Sequence, residues 1–110
     1  MATERDFQNQ VITLAHLYGW RVHHVRPGMT SRGRWITNVQ GNVGFPDLVL
    51  AHDKHGVIFA ELKNDTGRVT PEQQEWLYTL CVTGHEAYVW RPANIKLITK
   101  RLRGQPWPQN

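Results

Sequence analysis

The chain has 110 residues, 40% apolar and 20% charged, the size and composition of a single folded domain, which excludes wholesale disorder. Thirteen Lys and Arg against nine Asp and Glu leave a net charge of +4, which suits a polyanionic partner and equally suits a basic solvated surface. The single cysteine, Cys81, excludes an internal disulfide framework, and no apolar run reaches the roughly 20 residues of a membrane helix.

The N-terminus, MATERDFQNQ, has no apolar stretch and is not read as a signal peptide, so a reducing cytoplasm is the expected compartment. Phe7, Val11, Leu14, Ala15 and Tyr18 share one face of a 3.6-residue period, predicting a helix. Thr3 and Asp6 form a capping pair that starts it near Glu4, and Gly19 stops it. Residues 20–25 read as a strand. Residues 26–45, RPGMTSRGRWITNVQGNVGF, read as a long loop with a short strand near 35–39.

Two apolar runs follow, 47–51 and 57–62, joined by a hairpin turn at 52–56. After a loop at 64–69, Thr70-Pro71-Glu72-Gln73 predicts a helix start with Thr as N-cap and Pro at N1. Trp76, Leu77, Leu80 and Cys81 are expected on its core face, and Gly84 ends it. A short strand at 87–90 and a last basic helix around Ile95, Ile98 and Leu102 complete a domain spanning 1–103. Residues 104–110 are expected to fray. The fold class is α/β, order α-β-β-β-α-β-α, with a central mixed sheet flanked by helices and a parallel crossover between the last two strands.

The chemistry concentrates where polar residues interrupt the strands. Glu61 and Lys63 are two apart on one strand and so share a face. With the turn centred near residue 54, Asp47 falls opposite Glu61. Two carboxylates side by side repel, and a divalent cation resolves the conflict. All-oxygen ligation selects Mg²⁺ or Mn²⁺ over zinc. Such an ion activates water and polarises a phosphoryl oxygen, so the trio outlines a phosphodiester-hydrolysing site. The same trio is also compatible with a solvated same-face ion pair.

The ordered set Gly44-Phe45-Pro46-Asp47-Leu48-Val49-Leu50, Glu61-Leu62-Lys63, Gly67-Arg68-Val69-Thr70-Pro71-Glu72-Gln73, Trp76-Leu77, Leu80 and Gly84 resembles the VRR-NUC family. An acidic first helix, with Glu4 and then Phe7-Gln8, adds to it. These are small virus-type replication-repair nuclease domains of the PD-(D/E)xK superfamily. The resemblance implies a restriction-endonuclease-like core and a Mg²⁺- or Mn²⁺-dependent DNA endonuclease. It implies Asp47, Glu61 and the Leu62 backbone carbonyl as metal ligands and Lys63 as the catalytic lysine. Gln73 would accompany the site, and Glu4 would reach the metal directly or through water. Stand-alone phage-type members resembling this chain act as homodimers on branched DNA, such as Holliday junctions. The open alternatives are a flap or nicking nuclease with the same site, and a non-catalytic DNA-binding module or accessory subunit of a replication or repair complex.

Among basic residues, Arg26, Arg32, Arg34 and Trp35 form the best candidate DNA-binding loop, arginine forks for phosphates and Trp for a base. Arg68, just before a helix N-terminus, is a further candidate phosphate contact. Lys96, Lys100, Arg101 and Arg103 make a second basic patch or a solvated helix face. His23 and His24 point to opposite faces of a strand and cannot readily share an ion, and Cys81 is expected in the core.

Overall fold

The computed structural model describes residues 3–24, 28–29, 35–36 and 40–109, with 28–29 and 35–36 described as backbone only. Helix α1 (Glu4–Leu17) starts at a reciprocal capping box, in which the Thr3 hydroxyl accepts from Asp6 N–H and the Asp6 carboxylate accepts from Thr3 N–H. Strand β1 (Arg21–His24) follows, then the two-residue strands β2 (Gly28–Met29) and β3 (Trp35–Ile36), which pair with each other in a separate two-stranded sheet. Strands β4 (Leu48–His52) and β5 (Gly56–Leu62) form the expected hairpin. Helix α2 (Pro71–Val82) leads to β6 (Glu86–Trp90), and after a 3₁₀ turn at Pro92–Asn94 comes α3 (Ile95–Leu102).

The main sheet has the order β1-β4-β5-β6. The first three strands are antiparallel, and β6 lies parallel to β5 through the α2 crossover, giving the mixed sheet. Leu48 pairs with Ala60 and His52 with Gly56, so the register extends to place Asp47 beside Glu61.

The two sheet faces are covered unequally. Leu48, Leu50, Ile58, Ala60, Leu62 and Trp90 point to one face, where α1 (Phe7, Val11, Ala15) and α3 (Ile98, Leu102) bury them almost completely. At about 1.5–3 kcal/mol per fully buried large apolar side chain, this face supplies most of the hydrophobic stabilisation. The opposite face is covered more thinly by α2, which buries none of its residues. Cys81, expected in the core, is exposed, with its Sγ donating to the Ala87 carbonyl at 3.4 Å. At 100° per residue Cys81 sits at the margin of the apolar arc that begins at Trp76, so a helix that is only half covered leaves it outside.

Two further expectations change at the C-terminus. Arg101 is 5% exposed rather than part of a basic patch. Its Nε and Nη2 bind both Glu86 oxygens at 2.8 and 2.7 Å, and Nη2 also donates to the His55 carbonyl. Glu86 lies on the well-packed face, paired with Ile58, so a cation is drawn inside to neutralise it. Burial and that guanidinium pull in opposite directions on Glu86, and its pKa ends below the ordinary value. The segment expected to fray carries Trp107 back onto the fold, tilted against Tyr88 and stacked on Trp90 at centroid distances of 4.8 and 6.0 Å. Aromatic burial outweighs the entropy of holding that segment.

Candidate active site

The site forms at the end of the sheet where β4 begins and β5 ends. Asp47 precedes β4, and its Oδ2 accepts from Leu62 N–H at 2.9 Å, so a side chain completes the ladder where β4 runs out. Glu61 is the penultimate residue of β5 and is 2% exposed despite its charge. Lys63 leaves the same face one pleat later, and its Nζ stands 3.8 Å from Glu61 Oε2. The trio is therefore no solvated surface pair, because its central carboxylate is sealed from water.

Helix α2 explains how that is achieved. Thr70 caps it, and Gln73 plays two parts with its two side-chain atoms. Gln73 Oε1 accepts from Thr70 N–H at 2.9 Å, completing a capping box, while Gln73 Nε2 donates to Glu61 Oε2 at 3.1 Å. The cap fixes the rotamer that the site uses. Gln74 points to solvent, as its place on the helix requires.

Glu61 Oε2 thus accepts from Gln73 Nε2, with the Lys63 ammonium 3.8 Å away, whereas its other oxygen, Oε1, is buried with no hydrogen-bond partner among the described residues. A desolvated carboxylate oxygen without a donor is expensive unless it takes a proton or a cation. The pKa of Glu61 is accordingly pushed up to about 8, by burial first and then by the neighbouring Asp47 carboxylate. Lys63 opposes the rise, and Glu4 adds to it through its charge. Glu4 itself is exposed on the first turn of α1 and acts on Glu61 through its charge.

The donor set fits a hard divalent cation. Asp47, Glu61 and the Leu62 carbonyl offer oxygen only, and the unpartnered Oε1 calls for positive charge. Among the described residues no three of His, Cys, Asp and Glu come together closely enough to hold an ion, so Glu4 is not gathered with Asp47 and Glu61 as a third direct ligand. Two carboxylates are the usual protein share for Mg²⁺, which keeps most of its waters.

A family model, the VRR-NUC domain, matches residues 13–94. The chain belongs to the VRR-NUC family. The matched span of this VRR-NUC chain holds Asp47, Glu61, Lys63 and Gln73 and begins after Glu4. The family is nuclease-type. A solved structure described as a VRR_NUC domain protein shares the fold, with a TM-score of 0.59 and 22% identity over 91% of this chain and 90% of that one. A search of curated proteins finds no match.

Two positions that sequence reasoning did not single out as site residues pack around the candidate site of this VRR-NUC chain. One is Arg91, whose guanidinium binds the turn between Lys63 and α2. The other is Gly44, whose φ is +96°. A Cβ there would lie 2.6 Å from the Glu72 backbone carbon and 2.9 Å from Gln73 N. Only glycine lets the segment leading to Asp47 press against the first turn of α2. Gly44→Ala is expected to lower stability by about 2–3 kcal/mol, from left-handed backbone strain plus overlap with backbone that cannot yield. Urea denaturation reads this directly, and an unchanged midpoint would show that the contact carries no weight.

Arg68 is exposed on the loop before α2. Arg26, Arg32, Arg34 and the Trp35 side chain lie outside the described residues. No described helix is long and apolar enough to cross a membrane.

Proposed function

We propose that this chain is a Mg²⁺- or Mn²⁺-dependent DNA endonuclease, selective for branched DNA such as four-way junctions and acting as a homodimer. One observation carries the catalytic part: a sealed carboxylate, Glu61, with an unpartnered oxygen, lies against Asp47 and beside Lys63. Asp47, Glu61 and the Leu62 carbonyl would hold the ion, which when bound supplies positive charge to the scissile phosphate and acidifies water.

The chain's own groups do the rest. Gln73 keeps Glu61 in one rotamer. Lys63, 14% exposed, presents a cation at the mouth of the site to the phosphate oxygens, where negative charge grows during attack. Glu4 adds a further carboxylate within electrostatic reach. The net charge of +4, with Arg68 exposed beside the site, favours the DNA backbone. The junction and dimer elements are supported by the family resemblance and by symmetry: two cuts need two sites, and each chain supplies one.

Matched labelled substrates test the reading: four-way junction, flap, single strand and linear duplex, each with Mg²⁺, Mn²⁺ or EDTA. Paired symmetric cuts in the junction, lost in EDTA and with Lys63→Ala, are the expected result. Preferential flap or duplex cleavage would keep the site and replace the substrate. Binding with no cleavage in either metal would overturn the enzyme reading in favour of a DNA-binding or accessory module.

A further inference from the structure

The loop from Asn64 to Val69 connects Lys63 to the cap of α2, and therefore joins the two elements that meet at Glu61. Its internal bonds are few and long. Gly67 N–H reaches the Asn64 carbonyl at 3.3 Å, and Thr66 N–H reaches Asn64 Oδ1 at 3.2 Å. Such a turn does not hold its own shape strongly. The bonds that tie it down come from the far end of β6. Lys63 N–H donates to the Trp90 carbonyl at 3.0 Å, and Ala93 N–H donates to Asp65 Oδ1 at 3.3 Å. The shortest are from one nitrogen, Arg91 Nη1, which donates to the Asn64 carbonyl at 2.7 Å and the Gly67 carbonyl at 2.8 Å.

Arg91 is itself fixed, because its backbone N–H donates to Asn94 Oδ1 at 2.9 Å, and its side chain is half-buried. Both loop carbonyls converge on one charged donor, and charge-assisted bonds of this length are the stronger kind. Releasing Nη1 would free both ends of the turn at once. Lys63 lies one residue before the first carbonyl, and Thr70, whose cap sets Gln73, lies three residues after the second.

We infer that Arg91 is a positioning residue for cleavage: its guanidinium clamps the 64–67 turn and so sets the relation of Lys63 to Gln73 across Glu61. The inference rests on the nuclease reading above. A residue that instead bound a DNA phosphate would govern KM and the salt dependence of binding. A clamp governs kcat, because small displacements of catalytic groups lower rate more than affinity.

The test compares Arg91→Ala and Arg91→Lys with the wild type, below the melting temperature of each. Expected for Arg91→Ala is a loss in kcat of at least about tenfold, with KM and the salt slope within about twofold. Amide exchange across 64–68 should rise while that of β4 and β5 stays unchanged, and Arg91→Lys, which keeps a cationic donor, should recover much of the rate. If the alanine variant fails to fold, Arg91→Gln takes its place. Unchanged kcat, unchanged exchange in the turn, or a change confined to KM and the salt slope would each overturn the clamp. Those results presuppose an active wild type. An inactive wild type would instead overturn the nuclease reading itself, and the clamp's catalytic role with it.

Discussion

Asp47→Asn and Glu61→Gln, each alone, should abolish cleavage, lowering kcat on the order of 10³-fold or more while the chain still folds and binds DNA in EDTA. Glu4 acts on this site through its charge and does not stand in for either carboxylate. Asp47 and Glu61 are the two that the strand register sets side by side, and the loss of either leaves an all-oxygen site with one anionic ligand. Both substitutions preserve shape. In Asp47→Asn the amide oxygen can still accept from Leu62 N–H, and in Glu61→Gln the amide oxygen can still accept from Gln73 Nε2, so the ladder end and the helix cap survive. Single-turnover cleavage with saturating enzyme separates lost chemistry from lost binding. Near-wild-type rates in either variant would remove the pair from the reaction.

The same Glu61→Gln substitution should stabilise the protein in the absence of divalent metal, and only at high pH. Glu61 titrates at about 8 in the fold against an ordinary 4.5, with burial the largest cause. A raised acid pKa means that folding favours the protonated form. Its contribution is fully present below about 4.5, declines as pH rises between the two values, and is lost above about 8. Glutamine mimics the protonated carboxyl and cannot lose that proton. At pH 9 we expect Glu61→Gln to be more stable than wild type by about 1–3 kcal/mol, roughly 5–15 °C in Tm. At pH 4 the two should nearly coincide. Adding Mn²⁺ at pH 8 should raise the Tm of the wild type but not of the variant. Thermal melts at the two pH values decide it. A variant less stable than wild type at pH 9 would show that the fold favours the Glu61 charge instead of penalising it.

Much of this site was legible because it depends on local spacing. The turn at 52–56 sets the hairpin register, and the register alone brings Asp47 to Glu61. Thr70, Pro71 and Gln73 announced the helix start, and Gln73 proved to serve the cap and the site together, a pairing that spacing presents as alternatives. What spacing could not reveal were the long-range closures. Arg91 reaches back 27 residues to Asn64, and Arg101 reaches 46 to His55 and 15 to Glu86. In sequence both read as ordinary basic residues. Gly44 carried a signal as part of the glycine-rich stretch before Asp47, but its need for a close approach to Glu72 depends on tertiary packing. The exposure of Cys81 and the docking of Trp107 have the same origin. Periodicity tells which helix face is apolar, but not how completely a neighbour covers it.

Everything proposed for this site requires a divalent ion held by Asp47 and Glu61, which would displace the proton that Glu61, raised to about 8, keeps at neutral pH. Calorimetric titration of Mn²⁺ into the metal-free protein at pH 7, repeated in buffers of different ionisation enthalpy, tests that exchange without DNA. We expect saturable binding with release of about one proton per ion at the Glu61 site, and neither in Glu61→Gln. Binding without proton release, or equal binding by the Glu61→Gln variant, would contradict it.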